Sequence, residues 1–172
     1  MLYFNDYLYE KTEITHTRQI VRAVLLDESN NVILEHLVRN DDFGYGDYLE
    51  TPGGGIDINE DHATALKREL IEELGLNIEV ICYIDSVHDY YNLIKRCNET
   101  HYYLCKVIDK CDSAPEELEK QIIVGTYVLS IDESIKKMEE NVGNLGKLVL
   151  QRELPILKKT KEILKEKQIC IK

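Results

Sequence analysis

Carboxylates crowd one short stretch of this chain. Residues 54–76 read GGIDINEDHATALKRELIEELGL, which sets Glu60, Glu69, Glu72 and Glu73 around a single arginine, Arg68, with glycines at both ends. The recurrence of Ala63, Leu66, Leu70 and Leu74 predicts a helix over residues 60–74 that stops at Gly75. At about 100° per residue, with Glu69 as zero, Glu72 falls at about −60° and Glu73 at about +40°, while the four apolar residues fill the arc from about +60° to +140°. One flank therefore packs on a core and the other presents three carboxylates, with the small Ala65 leaving room between Glu69 and Glu72. Like charges at this spacing repel by about 0.2–0.5 kcal/mol per pair, so the array calls for a counterion. Arg68, four residues before Glu72, is one candidate, and a hard divalent cation is the other. Oxygen donors with space for water suit Mg²⁺ or Mn²⁺, whereas zinc would favour His or Cys. A solvated acidic face is the plainer alternative. Such a face does not require Pro52, Gly53 and Gly54 ahead of it, Glu60 at the helix start, Arg directly before Glu, or a glycine at the exit.

The elements that must hold this helix can be read from the flanking pattern. Residues 17–26 and 31–38 are β-branched and aliphatic around a polar turn at 27–30, which predicts a hairpin. Residues 40–48, rich in Gly, Tyr and Asp, read as a loop, and residues 49–51 lead into Pro52 and a glycine run where backbone can approach something closely. Strands are expected at 78–91 and 100–108 on either side of a turn-prone 95–99, making a second hairpin. A loop at 109–119 precedes a strand at 122–129, and Ser130 with Glu133 opens a short helix to about residue 140 through a capping box. A last helix, 147–167, contains Pro155, which is expected to kink or split it. The order β-β-α-β-β-β-α-α predicts an α+β fold, a mixed sheet between helices in α/β/α layers. No repeat or linker divides the chain, so residues 16–172 read as one domain including the C-terminal helix, preceded by a Tyr-rich extension at 1–15. The extension and the last helix exceed what the core needs. They either cover it or pair with a second copy in a homodimer.

Composition narrows the functions available. At 172 residues a single domain can bury about 70% of its unfolded surface. Five cysteines, odd in number and without a C-x-x-C pair, imply neither a disulfide framework nor a zinc site. The five histidines show no ligand spacing and read as surface or strand residues. The start, MLYFNDYLYEKTE, lacks a basic region followed by an apolar run, and no stretch is long and apolar enough to span a membrane, so a cytoplasmic location is expected. A net charge of −11 argues against polymeric nucleic acid and anionic membrane surfaces as partners. A small phosphate-bearing ligand is still accessible, because a bound divalent cation reverses the sign of the local field.

The stretch 54–76 resembles the signature of the Nudix hydrolases at every fixed position, namely Gly54, Glu60, Arg68, Glu69, Leu70, Glu72, Glu73, Gly75 and Leu76. The strand order around it is similar to that family's sandwich fold over residues 19–164. The resemblance implies hydrolysis of a nucleoside diphosphate linked to another moiety, with water attacking phosphorus. It also implies that Glu69, Glu72 and Glu73 bind metal, with the Gly53 carbonyl as a further ligand. Arg68 would orient the carboxylates and Glu60 would support the loop and the helix start. In some members a further acid lies far downstream, and Glu116, Glu117 and Glu119 are the candidates here. Phosphoryl transfer needs neutralised phosphoryl oxygens, in-line positioning and an activated water, which metals clamped by carboxylates supply.

Substrate contacts are read from position alone. Arg39 ends the second strand just ahead of the glycines, within reach of a phosphate, and Gly54 and Glu119 complete the candidate substrate set. Arg18 and Arg22, in phase on the first strand, are weaker candidates. Tyr45, Tyr48, Tyr90, Tyr91, Tyr102 and Tyr103 offer rings on which a base could stack, though cross-strand packing is the commoner use. A catalytically silent nucleotide-binding sensor with the same fold is the alternative function.

Overall fold

The computed structural model describes residues 1–113 and 121–170, the last four by backbone alone. Among the described residues the strands are β1 (Leu2–Phe4), β2 (His16–Leu26), β3 (Val32–Asp41), β4 (Gly44–Glu50), β5 (Leu76–Tyr91), β6 (Arg96–Lys110) and β7 (Ile123–Leu129). They form one sheet in the order β1-β5-β6-β2-β3-β4, with β7 paired to β3. The β1–β5 and β2–β6 pairs are parallel and the others antiparallel, so the sheet is mixed. Helix α1 (His62–Leu74) lies on one face, while α2 (Ile131–Met138) and α3 (Gly143–Cys170) lie on the other. The α+β fold in α/β/α layers is thus the one observed.

Strand β2 is the spine. From Ile20 to Leu26 it is buried on both faces, so that part of its sequence runs apolar almost without alternation. Val21, Ala23 and Leu25 pack with Ala65, Leu66 and Leu70 of α1. Val24 and Leu26 pack with Met138 of α2 and Ile156 and Leu157 of α3. Strands β2 and β3 pair only at Leu25–Ile33 and Leu26–Val32 before they part. The chain leaving β4 occupies the edge of β2 that this parting exposes. Ala23 donates to the Pro52 carbonyl, Val21 to the Gly54 carbonyl, and Ile56 to the Gln19 carbonyl.

Several expectations are corrected. Residues 40–48 are not a loop but the tip of the β3–β4 hairpin, with Arg39 opposite Gly46 and Leu37 opposite Tyr48. Their Gly and Asp content reads as loop, but Tyr48 packs with Leu37 and with Val149 of α3, and that tertiary contact overrides local propensity. The turn at 95–99 is a 3₁₀ turn at Asn92–Ile94 closed by Lys95 in a left-handed conformation, so residues 96–99 belong to β6. Helix α1 starts at His62, because Asp61 is its N-cap and accepts from the Thr64 amide. Pro155 does not split α3, since Ile156 and Leu157 beside it are fully buried and hold both halves against the sheet. The capping box at Ser130 and Glu133 forms as expected.

The extension at 1–15 covers the core. Strand β1 adds to β5, and Asp6 accepts from the amides of Leu8, Tyr9 and Asn92. Leu8 and Tyr9 then pack by Phe43, Tyr91 and Leu148. Among the described residues no helix is long and apolar enough to cross a membrane.

Candidate active site

The glycine loop and α1 meet where β2 and β3 separate. Gly53 sits at φ +132°, and a Cβ there would lie 2.9 Å from the Arg22 Cα, so only glycine fits beside β2. Gly54 faces the other way, into α1, where a Cβ would lie 2.6 Å from the carboxyl carbon of Glu69. From the helix side, Glu73 accepts the Gly53 amide at 2.9 Å. The Pro52 and Gly54 carbonyls are bonded to β2, whereas no described hydrogen bond takes the Gly53 carbonyl.

Arg68 gathers the acids. Its Nε and Nη2 donate to the two carboxylate oxygens of Glu60 at 3.0 and 2.8 Å. Nη1 donates to Glu69 at 2.9 Å and Glu72 at 3.1 Å, and Nη2 also reaches the Gly55 carbonyl. Hydrogen bonding to Glu60, foremost, raises the Arg68 pKa, and the same bonds lower that of Glu60. One guanidinium thus ties the helix start, the loop and two carboxylates into a fixed array.

Glu35 completes the acidic wall from β3. It is 2% exposed and hydrogen-bonds Glu73, and one of its oxygens, Oε1, is buried without a partner. Burial, with the neighbouring Glu73 charge adding to it, pushes the Glu35 pKa well above the usual carboxylate range.

A buried ionic layer supports the floor. Arg22 pairs with Glu50 at 2.7 Å and donates to the Thr51 carbonyl. Arg152 of α3 pairs with Glu50, with Glu153 at 3.2 Å and with Asp89 at 3.4 Å, and donates to the Tyr91 hydroxyl. Glu153 also accepts from Tyr102 and Thr51. Burial favours protonation of Glu50, yet Arg22 and Arg152 outweigh it and hold the pKa low. The layer ties β2, β4, β5 and β6 to α3.

The resulting cavity, about 650 Å³, is lined by Glu69, Glu72, Glu73, Arg68, Gly53, Gly54 and Arg39 among the residues expected from sequence. Glu60 is not in the lining and instead holds Arg68 from behind. Arg39 faces the cavity while paired to Asp41 at 2.6 Å. Glu116, Glu117 and Glu119 lie outside the described residues. None of the six tyrosines lines the cavity. Tyr48, Tyr91 and Tyr102 are buried in the core, Tyr45 is exposed on the hairpin, and Tyr103 turns to the α1 face, where it bonds His62. The aromatic ring in the lining is Phe43, edge-on to Tyr9 and Tyr91.

Sequence reading missed Glu35, Glu50 and Arg96, which also line the cavity. For Glu35 a signal existed: a single acid amid the apolar run VILEHLV of a strand. Arg152 and Glu153 carried a comparable signal, since both fall in phase with Leu148, Val149, Ile156 and Leu157 on the buried face of α3.

The donor chemistry fits a hard divalent cation. Three carboxylates and a backbone carbonyl that no described hydrogen bond takes stand beside the run of glycines, and the donors are all oxygen. Among the described residues no three such groups already converge as a ligand set, since Arg68 and the Gly53 amide hold their oxygens.

Comparison with known proteins bears on the family and the fold. Residues 16–143 match the model of the NUDIX domain. An 8-oxo-dGTP diphosphatase of Proteus vulgaris is 35% identical over 72 residues, which is 41% of this chain and 62% of that protein. The chain thus matches less than two thirds of that relative's length. A NUDIX hydrolase from Nitrosomonas europaea superposes with a TM-score of 0.64 at 18% identity, covering 85% of this chain and 89% of that one. The E. coli ORF135 protein superposes at 0.61 and 20% identity, covering 87% and 91%. At such identities the likeness is one of fold.

Proposed function

The chain belongs to the NUDIX family, and from that premise we propose that it hydrolyses the phosphoric anhydride bond of nucleoside diphosphate derivatives with Mg²⁺ or Mn²⁺. The observation that carries this reading is the packing of Glu69 against Gly54 and of Glu73 against the Gly53 amide, which places the carboxylate flank of α1 on a bare backbone loop inside the cavity. Glu69, Glu72, Glu73 and the Gly53 carbonyl would hold the cation. When bound, such an ion neutralises phosphoryl oxygens and lowers the pKa of water.

The chain's own residues then have separate tasks. Arg68, anchored by Glu60, fixes the directions of Glu69 and Glu72. Glu35 braces Glu73 from β3. Arg39 and the Gly54 backbone face the space a phosphate would occupy. Water attacks phosphorus, the bridging P–O bond breaks, the departing phosphate keeps the electron pair, and the proton passes to a carboxylate. Glu119, on sequence grounds, is assigned to the substrate side. The Proteus vulgaris relative is named for 8-oxo-dGTP, so phosphorylated purine nucleosides head the substrate panel. We place the protein in the cytoplasm, a reading supported by Cys82, Cys97, Cys105 and Cys111 forming no disulfide.

The test is turnover of a nucleotide panel with and without Mg²⁺, beside Glu73→Gln. Metal-dependent product that the variant loses is expected. No product from any diphosphate overturns the enzyme reading, and thermal stabilisation by nucleotide without product would favour a silent sensor.

A further inference from the structure

Five arginines face the cavity, Arg18, Arg22, Arg39, Arg68 and Arg96. Three are neutralised by carboxylates: Arg22 by Glu50, Arg39 by Asp41, and Arg68 by Glu60, Glu69 and Glu72. Among the described residues no carboxylate lies within salt-bridge distance of Arg18 or Arg96, although the charge of Asp89 is felt at Arg96. Arg18 is exposed at the cavity's edge while Arg96 is half-buried, and in a chain of net charge −11 a half-buried cation without a salt bridge needs a physical reason.

Their placement makes the pairing costly without an anion. Strands β2 and β6 run parallel with His16 opposite Arg96 and Arg18 opposite Asn98, so both arginines stand on the same sheet face, two positions apart on neighbouring strands. Arg96 rests over the Tyr91 ring at 5.5 Å, and its buried Nε has no acceptor. Burial, reinforced by the charges of Arg18 and Arg152, lowers the Arg96 pKa although Tyr91 and Asp89 act in the opposite sense. Arg18 lies against Gly55, where a Cβ would come 3.0 Å from Nη2, and Arg68 donates to the carbonyl of that same glycine. The unpaired arginines therefore adjoin the loop that carries the carboxylate site.

We propose that Arg18 and Arg96 form an anion subsite for the phosphoryl group farthest from the nucleoside, so that the chain prefers nucleoside triphosphates to diphosphates joined to a neutral group. The inference rests on the reaction proposed above for the same cavity. A guanidinium fork matches a terminal phosphate, which offers three oxygens, better than the hydroxyls of a sugar. Water attacks the phosphorus next to the nucleoside, the bridging P–O bond breaks, and pyrophosphate leaves with the electron pair. The two arginines then bear on the charge that grows on that leaving group.

Calorimetry with inorganic tripolyphosphate in EDTA isolates the subsite, because only the chain's own cations can then hold the anion. Wild-type protein is expected to bind, with affinity falling about tenfold in Arg18→Gln and in Arg96→Gln and further in the double variant. Exposed Lys165→Gln serves as the charge control and is expected to bind as wild type. Circular dichroism on each variant confirms folding. In turnover, the ratio of kcat/KM for dGTP over UDP-glucose falls in the double variant, through KM. Wild-type protein that does not bind tripolyphosphate, or binds it as tightly as the double variant does, overturns the subsite. Arginine-dependent binding without hydrolysis of any nucleotide refutes the reaction and leaves the subsite standing. Hydrolysis with a substrate ratio unchanged by the variants refutes the subsite and leaves the reaction.

Discussion

Glu73 accepts the backbone amide of Gly53 at 2.9 Å, joining the last turn of α1 to the glycine loop across twenty residues of chain. Glutamine at this position keeps an acceptor oxygen for the amide and removes the charge. Glu73→Gln is therefore expected to fold normally and to lose about 10²–10³-fold in kcat, the scale for deleting one preorganised electrostatic contact. Steady-state kinetics alongside thermal melting check it; equal losses of activity and of stability would show that the charge serves the fold instead.

Gly54 and Gly125 separate steric need from glycine's local cost. Gly54→Ala would drive a methyl group into the Glu69 carboxyl and is expected to abolish turnover. Gly125, in β7, meets nothing within 4 Å and has no positive φ, so Gly125→Ala is expected to leave kcat unchanged and to stabilise by a few tenths to about 1 kcal/mol. Parallel melts and rates on the two variants provide the comparison.

Arg152 is 2% exposed and faces Glu50, Asp89 and Glu153. Its replacement by methionine leaves buried carboxylates without their shared cation, a loss of about 3–5 kcal/mol. Urea denaturation should show a lower midpoint with an unchanged slope.

Asp85 receives Lys159 at 2.6 Å and the Met1 amine at 2.5 Å. Burial opposes ionisation, but the Lys159 and amine contacts prevail and lower its pKa to about 2. Because the folded value lies below the unfolded one, near 3.9, the contact stabilises the fold above about pH 4 and fades as pH falls toward 2. Asp85→Asn should remove that part of the acid sensitivity, and melting temperatures at pH 5 and pH 2.5 read the difference.

Much of the fold was legible because local rules and tertiary packing agree. The apolar run of β2, the period of α1, the stop at Gly75 and the Ser130 capping box each follow from neighbours within a few residues. The β3–β4 hairpin was not legible. Its glycines and aspartates favour loops, and only contact with α3 gives Tyr48 a place to be buried.

The chemistry divides the same way. Sequence alone determined the acidic flank of α1 and the glycines before it, since helical periodicity fixes which carboxylates share a face and a bare backbone marks close approach. Tertiary structure decided the company those groups keep. Glu35 reaches Glu73 from another strand, Arg152 is delivered under Glu50 across 102 residues of chain, and Arg18 meets Arg96 through a parallel pairing. No local period encodes such encounters, because they depend on which strands the sheet makes neighbours and on where β2 and β3 separate.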